Sequence, residues 1–284
     1  MKLVTWNVQW CLGVDGRVDP ARIVEHARAF ADFDVLCLQE VACNFPALKG
    51  SAGEDQFAAI AASLPGFTAL RGIAVDTPAP GGTRRTFGNF ILSRLPVRQA
   101  TRIRLPSPVD EGVRHMGRMA LEAVMEAPFG LLRVTTTHLE YYSALQRGAQ
   151  VEALRARHEE ASEQARRLRP VDVSDGPFHS FAQTPSALLV GDFNCRTSDA
   201  AYARMNAPFD SRTPPLEDAW TVLHPDAPHA PTVGVHDRAQ WPEAFACDFV
   251  FASRDLRSRL KAVSVDAGTA ASDHQPVCIE LADD

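Results

Sequence analysis

A chain of 284 residues, 45% hydrophobic and 23% charged, has the length and composition of a soluble globular protein with a large core. Its net charge of −6 argues against a broad basic surface for non-specific nucleic-acid binding, while leaving room for a local basic cleft. The six cysteines form no Cys-x-x-Cys pair, and Cys37, Cys247 and Cys278 sit in apolar runs, which argues against a zinc cage or a disulfide framework.

Residues 3–8 read as a strand. Asp19-Pro20 starts a helix, an acidic cap followed by Pro, and Ile23, Val24, Ala27, Phe30 and Ala31 give it one apolar face. Residues 35–38 form a short buried strand ending at Gln39-Glu40. Residues 55–64 read as a second helix, stopped by Pro65-Gly66, and residues 67–75 as a strand pair. Residues 76–86 are polar and rich in Pro and Gly, which predicts a loop. Strands follow at 88–93, 98–104, 119–126 and 131–138, and the lack of helical stretches between them predicts antiparallel pairing.

Residues 143–168 read as a long helix with Leu145, Ala149, Leu154 and Ala161 among its apolar positions. Residues 170–185 are irregular, and Leu188-Leu189-Val190 resumes a buried strand after them, so an insertion within one domain is expected. Residues 198–222 read as helix and loop, and 224–243 as a Pro- and His-bearing loop. Strands at 247–252, 260–265 and 277–281 finish the chain. The order of elements predicts an α/β fold: two sheets packed face to face with helices outside. With a strand read so near the first residue, no leader is expected, and no apolar run reaches membrane-spanning length. A soluble, cytoplasmic monomer is the expectation.

Several polar residues stand at strand ends. The amide of Asn7 can hold a water or a phosphate oxygen, though for Asn7 alone a turn cap is the plainer reading. Glu40 follows a buried run, where a carboxylate is costly unless paired, hydrated or bound to metal; a capping or loop Glu is the alternative. His138 ends a strand and can donate to a phosphoryl oxygen, or be an ordinary satisfied histidine. On the helix that follows, Gln146, Arg147 and Gln150 can orient that loop, and for Gln146 a solvated helix face serves as well. Asp192 and Asn194 flank Phe193; in an extended segment both face one site while Phe193 packs behind them, and Gly191 permits close backbone approach.

Asp248 opens a strand, and Asp273-His274 precedes the last one. Adjacent side chains diverge, which suits Asp273 turned to a metal, His274 turned to phosphorus, and Asp248 fixing the imidazole. His26, His115, His158, His179, His224, His229 and His236 are expected in loops or on the surface. Arg84 and Arg85 are candidate phosphate contacts or solvated loop cations.

Together, Thr5-Trp6-Asn7, Leu38-Gln39-Glu40-Val41, Gly88-Asn89-Phe90-Ile91-Leu92-Ser93-Arg94, Thr137-His138-Leu139, Gly191-Asp192-Phe193-Asn194, Asp248-Phe249-Val250-Phe251 and Ser272-Asp273-His274 span nearly the whole chain. In this order they resemble the endonuclease/exonuclease/phosphatase superfamily of metal-dependent phosphoesterases. The resemblance implies one domain over residues 1–284, a four-layer α/β sandwich with the site at one rim. It implies Mg²⁺ or Mn²⁺ with Glu40 as principal ligand and Asn7 and Asp273 nearby. Asp192, Asn194 and His138 would surround the scissile phosphate, with Asn7 and Arg147 as further substrate contacts. His274, paired with Asp248, would be a general base or a phosphate contact. Gln9 stands where several relatives carry Asp, and Thr137-His138-Leu139 stands where abasic-site endonucleases show a Tyr-containing segment. The stretch from His138-Leu139-Glu140 to Gln146-Arg147 and Gln150 looks more like the tyrosyl-DNA phosphodiesterase and small bacterial hydrolase branches. The implied reaction is hydrolysis of a phosphate ester by in-line attack of water. Nucleic acid, a lipid or a small ester remains open as substrate, and a module that binds phosphate without cutting is the rival from another class.

Overall fold

A computed structural model describes residues 1–167 and 182–284. The first half opens with strand β1 (Lys2–Asn7) and helix α1 (Pro20–Phe30), whose cap Asp19 accepts a hydrogen bond from the Arg22 amide at 3.1 Å. Strand β2 (Val35–Cys43) and helix α2 (Gln56–Ala62) follow, then β3 (Thr68–Pro78) and β4 (Arg84–Ser93). A meander of β5 (Val97–Arg104), β6 (Met119–Ala127) and β7 (Gly130–His138) leads into the long helix α3 (Ala144–Arg167). Beyond it lie β8 (Ala187–Asp192), α4 (Ala200–Asn206), β9 (Leu216–Asp218), α5 (Ala219–Leu223), β10 (Asp248–Ser253), β11 (Leu260–Val265) and β12 (Val277–Leu281).

The strands make two six-stranded sheets, ordered β11-β12-β1-β2-β4-β3 and β5-β6-β7-β8-β10-β9. Each is antiparallel except for one pair, β1 with β2 in the first sheet and β7 with β8 in the second. Leu3, Val35 and Ile91 of one sheet meet Leu121, Val134, Val190 and Val250 of the other in a central core. A second cluster packs Ile23, Val24, Phe57 and Ile60 of α1 and α2 on the outer face of the first sheet. A third packs Val151 and Leu154 of α3 against Phe249 and Phe251. The result is helix, sheet, sheet and helix, the expected four-layer α/β sandwich. Among the described residues, no helix is long and apolar enough to cross a membrane.

The structure corrects several local expectations. Residues 67–75 are one strand rather than a pair: a bulge between Ile73 and Val75 lets β3 continue to Pro78. The expected loop 76–86 therefore shrinks to a hairpin turn, and Arg84 pairs with Asp76 across it. Residues 198–222 hold β9, too short and too polar to show as a strand in the sequence. On α3, Leu145 is exposed while Gln146 and Gln150 are fully buried. Most of segment 170–185, read as an insertion, lies outside the described residues.

Candidate active site

Two parallel strand pairs explain why distant residues meet. Because β1 runs parallel to β2, Asn7 lies beside Gln39 at the same end of the first sheet. Because β7 runs parallel to β8, His138 lies beside Asp192 at the end of the second. Strand β10 arrives antiparallel and starts where β8 stops, so Asp248 is opposite Asp192. The segment before β12 supplies Asp273 and His274. Between the sheets, the Gln39 amide donates to Thr136 at 2.8 Å, tying the two rims together.

Glu40 is not at a strand end, as the sequence suggested. Strand β2 runs on to Cys43, and Glu40 sits at a register shift between Leu38 and Val41 with φ of 61°. A bulge in the left-handed region strains a non-glycine residue, and here it turns the carboxylate into the cleft. Asn7 Nδ2 donates to Glu40 Oε1 at 3.2 Å and to Asp192 Oδ2 at 2.9 Å. His138 Nε2 is 3.4 Å from Asp192 Oδ2 and 3.7 Å from Glu40 Oε1. His274 faces the same oxygen with Nε2 at 3.9 Å, and its Nδ1 is 2.8 Å from Asp248 Oδ2. Ser272 holds the approach to this pair, donating to the Asn7 carbonyl at 2.8 Å.

The Asp192–Asn194 segment is a turn rather than an extended run. Gly191 has φ of 130° and Asn194 has φ of 47°. Asp192 Oδ1 accepts the Asn194 backbone N–H at 2.8 Å, and Asn194 Nδ2 donates to the Leu139 carbonyl at 2.9 Å. Both side chains still line the cleft, while Phe193 packs into the core behind them.

Charge accumulates in this space. Burial, then the neighbouring Asp273, raises the Glu40 carboxyl to about 7. Burial, then Asp248, raises Asp192 to about 6. Burial, with Arg118 adding, holds His138 well below the usual imidazole range, so it is neutral. His274 is opposed by burial, yet Asp248 and then Asp273 raise it well above that range, so it carries charge near neutral pH. The cleft encloses about 620 Å³ and is lined by Glu40, His138, Asp192, Asn194, Asp273 and His274. Asp273 Oδ2 accepts hydrogen bonds from Gln240 Nε2 at 2.8 Å and Trp241 Nε1 at 3.1 Å.

Two groupings could hold a metal. Donor atoms of Cys247, Asp248 and His274 lie within 4.8 Å of one another. Burial keeps the Cys247 thiol protonated, and His274 Nδ1 is already committed to Asp248, so that trio fits a hydrogen-bonded pair better than a cation. Glu40, Asp192 and Asp273 instead line one cleft with carboxylate oxygens, the donor type a hard divalent ion takes.

Arg147 does not belong with these residues. Its guanidinium donates to the Glu140 and Tyr141 carbonyls at 2.8 and 3.0 Å and lines a separate depression beside Arg204. The reason is its helical position, one step off the buried face that carries Gln146 and Gln150. Gln150 Oε1 accepts the Glu140 N–H at 2.8 Å, and Gln146 donates to the Pro108 carbonyl. Of the histidines expected in loops or on the surface, His158 is instead buried in α3 against the Pro214 carbonyl, while His229 lies in its expected loop and bonds Asp218. His115 lines the cleft, as do Gln9, Trp10, Tyr141, Tyr142, Gln240 and Trp241. Gln9 stood out by its place after Asn7, but Trp10, Tyr141, Tyr142, Gln240 and Trp241 carried no motif, and only their loop positions hinted at them.

The sequence matches the description "Endonuclease/Exonuclease/phosphatase family" over residues 4–274. Among curated proteins, no match is found. An endonuclease/exonuclease/phosphatase from Beutenbergia cavernae is 22% identical, with a TM-score of 0.67 over 99% of this chain and 71% of its own. A Bacteroides thetaiotaomicron mannosyl-6-phosphatase is 17% identical, with a TM-score of 0.66 over 99% of each chain. D. rerio TDP2 complexed with single strand DNA product is also 17% identical, with a TM-score of 0.63 over 98% of this chain and 97% of its own. At these identities the likeness to each structure is one of fold.

Proposed function

The chain belongs to the endonuclease/exonuclease/phosphatase family, and from that premise we propose that it hydrolyses a phosphate ester, of the phosphodiester type, with one or more divalent metal ions. The observation that carries this reading is the set of acids along one cleft: burial and Asp273 raise the proton affinity of Glu40, and burial and Asp248 raise that of Asp192. Buried acids left this way are costly unless a cation joins them. Glu40 and Asp273, with Asn7 beside them, would hold Mg²⁺ or Mn²⁺. The ion would supply charge neutralisation for the phosphoryl oxygens and the leaving group.

The chain's own residues account for the rest. Asn194, Asn7 and neutral His138 present donors to phosphoryl oxygens, each worth about 2–4 kcal/mol when preorganised. His274, charged and fixed by Asp248, serves as a phosphate contact. Asp192 touches both Asn7 and His138 and titrates close to neutrality, which suits it to take the proton of the attacking water. The reading treats residues 1–284 as one domain, since both sheets contribute to one cleft.

The test is a panel of phosphomonoesters, small phosphodiesters, plasmid DNA and single-stranded oligonucleotides, with Mg²⁺ or Mn²⁺ against EDTA. EDTA-sensitive hydrolysis is expected. Binding of inorganic phosphate without cleavage of anything would support a non-catalytic module instead. A lipid or small-molecule ester is the second reading, favoured by the net charge of −6.

A further inference from the structure

The cleft has a neighbour. A second chamber of about 660 Å³ lies beside it, and Tyr141, Tyr142, Asn194, Gln240 and Trp241 line both. These shared residues come from opposite rims. Tyr141 and Tyr142 stand on the turn between β7 and α3, and Gln240 and Trp241 stand on the loop before β10. Tyr141 and Trp241 meet edge to face with ring centroids 5.9 Å apart. The contact closes a bar across the two chambers, with Asn194 also shared between them.

Both ends of the bar are held. Arg147 fixes the Tyr141 carbonyl, and the Tyr142 ring packs on Tyr141 at 4.8 Å. Trp241 donates to Asp273 and lies edge-on to His274 at 6.1 Å. Tyr141 and Tyr142 nevertheless remain 47% and 53% exposed, so these rings present apolar surface to whatever enters. Of the arginines on either side, Arg114 lies over the Tyr142 ring at 5.6 Å to its centroid, and two others are ion-paired. Arg118 pairs with Glu140, and Arg196 pairs with Glu243 while its guanidinium sits 4.0 Å from the Phe245 ring centre.

A phosphate inside a long chain needs the polymer to run continuously past the acids on both sides. The bar stands across that course, and the second chamber carries the acids Asp199 and Glu243, the latter paired with Arg196, where a polynucleotide would seek free cations. Resting on the phosphoesterase reading above, we propose that the Tyr141–Trp241 bar makes the site end-directed. It admits a phosphate ester at a terminus of its substrate, with one compact ester group in the second chamber. It excludes a phosphate within an unbroken chain. Tyr141 and Trp241 are the specificity-determining residues, and Arg147 positions the first of them.

The experiment compares bis(p-nitrophenyl) phosphate with circular single-stranded DNA, with Mn²⁺ and with EDTA. Wild type, Tyr141→Ala, Tyr141→Ala/Trp241→Ala and Trp241→Phe are assayed, each with its melting curve. Hydrolysis of the small diester by wild type tests the phosphoesterase reading; the ratio of circular-DNA to small-diester cleavage tests the bar. The expected ratio is at background for wild type and Trp241→Phe, which keeps the ring but loses the bond to Asp273. It rises roughly tenfold or more in the double variant, as expected when a steric exclusion is removed. Wild-type cutting of circular DNA at a rate near that of the small ester overturns the proposal. So does a double variant, folded by its melting curve, that leaves the circle intact.

Discussion

His274 stands between carboxylates with different roles. Asp248 touches Nδ1 and fixes the ring, while Asp192 faces Nε2 and is open to the cleft. Replacing His274 by Ala, or Asp248 by Asn, is expected to lower turnover about 10²–10⁴-fold with the fold intact, measured by steady-state kinetics beside a circular dichroism melt. Wild-type turnover in either variant removes the assigned role. Glu40 makes a prediction of a different kind. Its folded value of about 7 exceeds the ordinary 4.5, so between those values the folded protein holds a proton the unfolded chain has released. The stability this provides is full below about pH 4.5 and is lost as pH rises through about 7; Asp192 adds the same sign between 3.8 and about 6. Metal-free protein should therefore melt lower at pH 7.5 than at pH 5. Glu40→Gln should raise stability at pH 7.5 by on the order of 2 kcal/mol, less than the full shift because water relaxes around the charge. A variant that melts below the parent at that pH would show Glu40 to be satisfied already.

Strand ends, rather than helices, build the site. The sequence showed this wherever an apolar run stopped at a polar group: Asn7 ends β1, His138 ends β7, Asp192 ends β8 and Asp248 opens β10. It could not show the bulge at Glu40, because a bulge is a mismatch between partners and β4 lies some fifty residues away. Nor could it show the turn at Asn194, where Asp and Asn two apart suggested an extended segment. Helix α3 misled for a related reason: its buried face carries Gln146, Gln150, Arg155 and His158, so hydrophobic periodicity is weak. The close parallel pairing of β7 and β8 depends on Gly191. A Cβ there would lie 2.0 Å from the Thr137 carbonyl oxygen, at a φ of 130°. Gly191→Ala should cost about 1–3 kcal/mol from backbone strain alone, and more from the clash, read as a lower denaturation midpoint. It should also lower turnover, since His138 and Asp192 face each other across that pair. An unchanged midpoint would mean the strands can part without loss.

At the scale of the whole molecule, the two sheets are one device. Leu3 and Val35 pack against Val134 and Val190 through the central core, while Gln39 and Thr136 join the rims by a hydrogen bond. Glu40, Asp273 and His274 come with the first sheet, Asp192 and Asp248 with the second. The fold class was legible because strand order and motif order agree over most of the chain. The outer walls of the cleft were not, because Tyr141, Tyr142, Gln240 and Trp241 are placed there by the loops they stand on and follow no spacing rule. A cation pocket shared as proposed would make the sheets interdependent, so a divalent ion should stabilise the entire protein. Calorimetric titration of Mn²⁺ into wild type and Glu40→Gln at pH 7.5, after EDTA treatment and desalting, tests that claim most directly. Saturable binding to wild type, with affinity lowered about tenfold or more in the variant, is the predicted result. Equal binding to both proteins, or none to wild type, would contradict it.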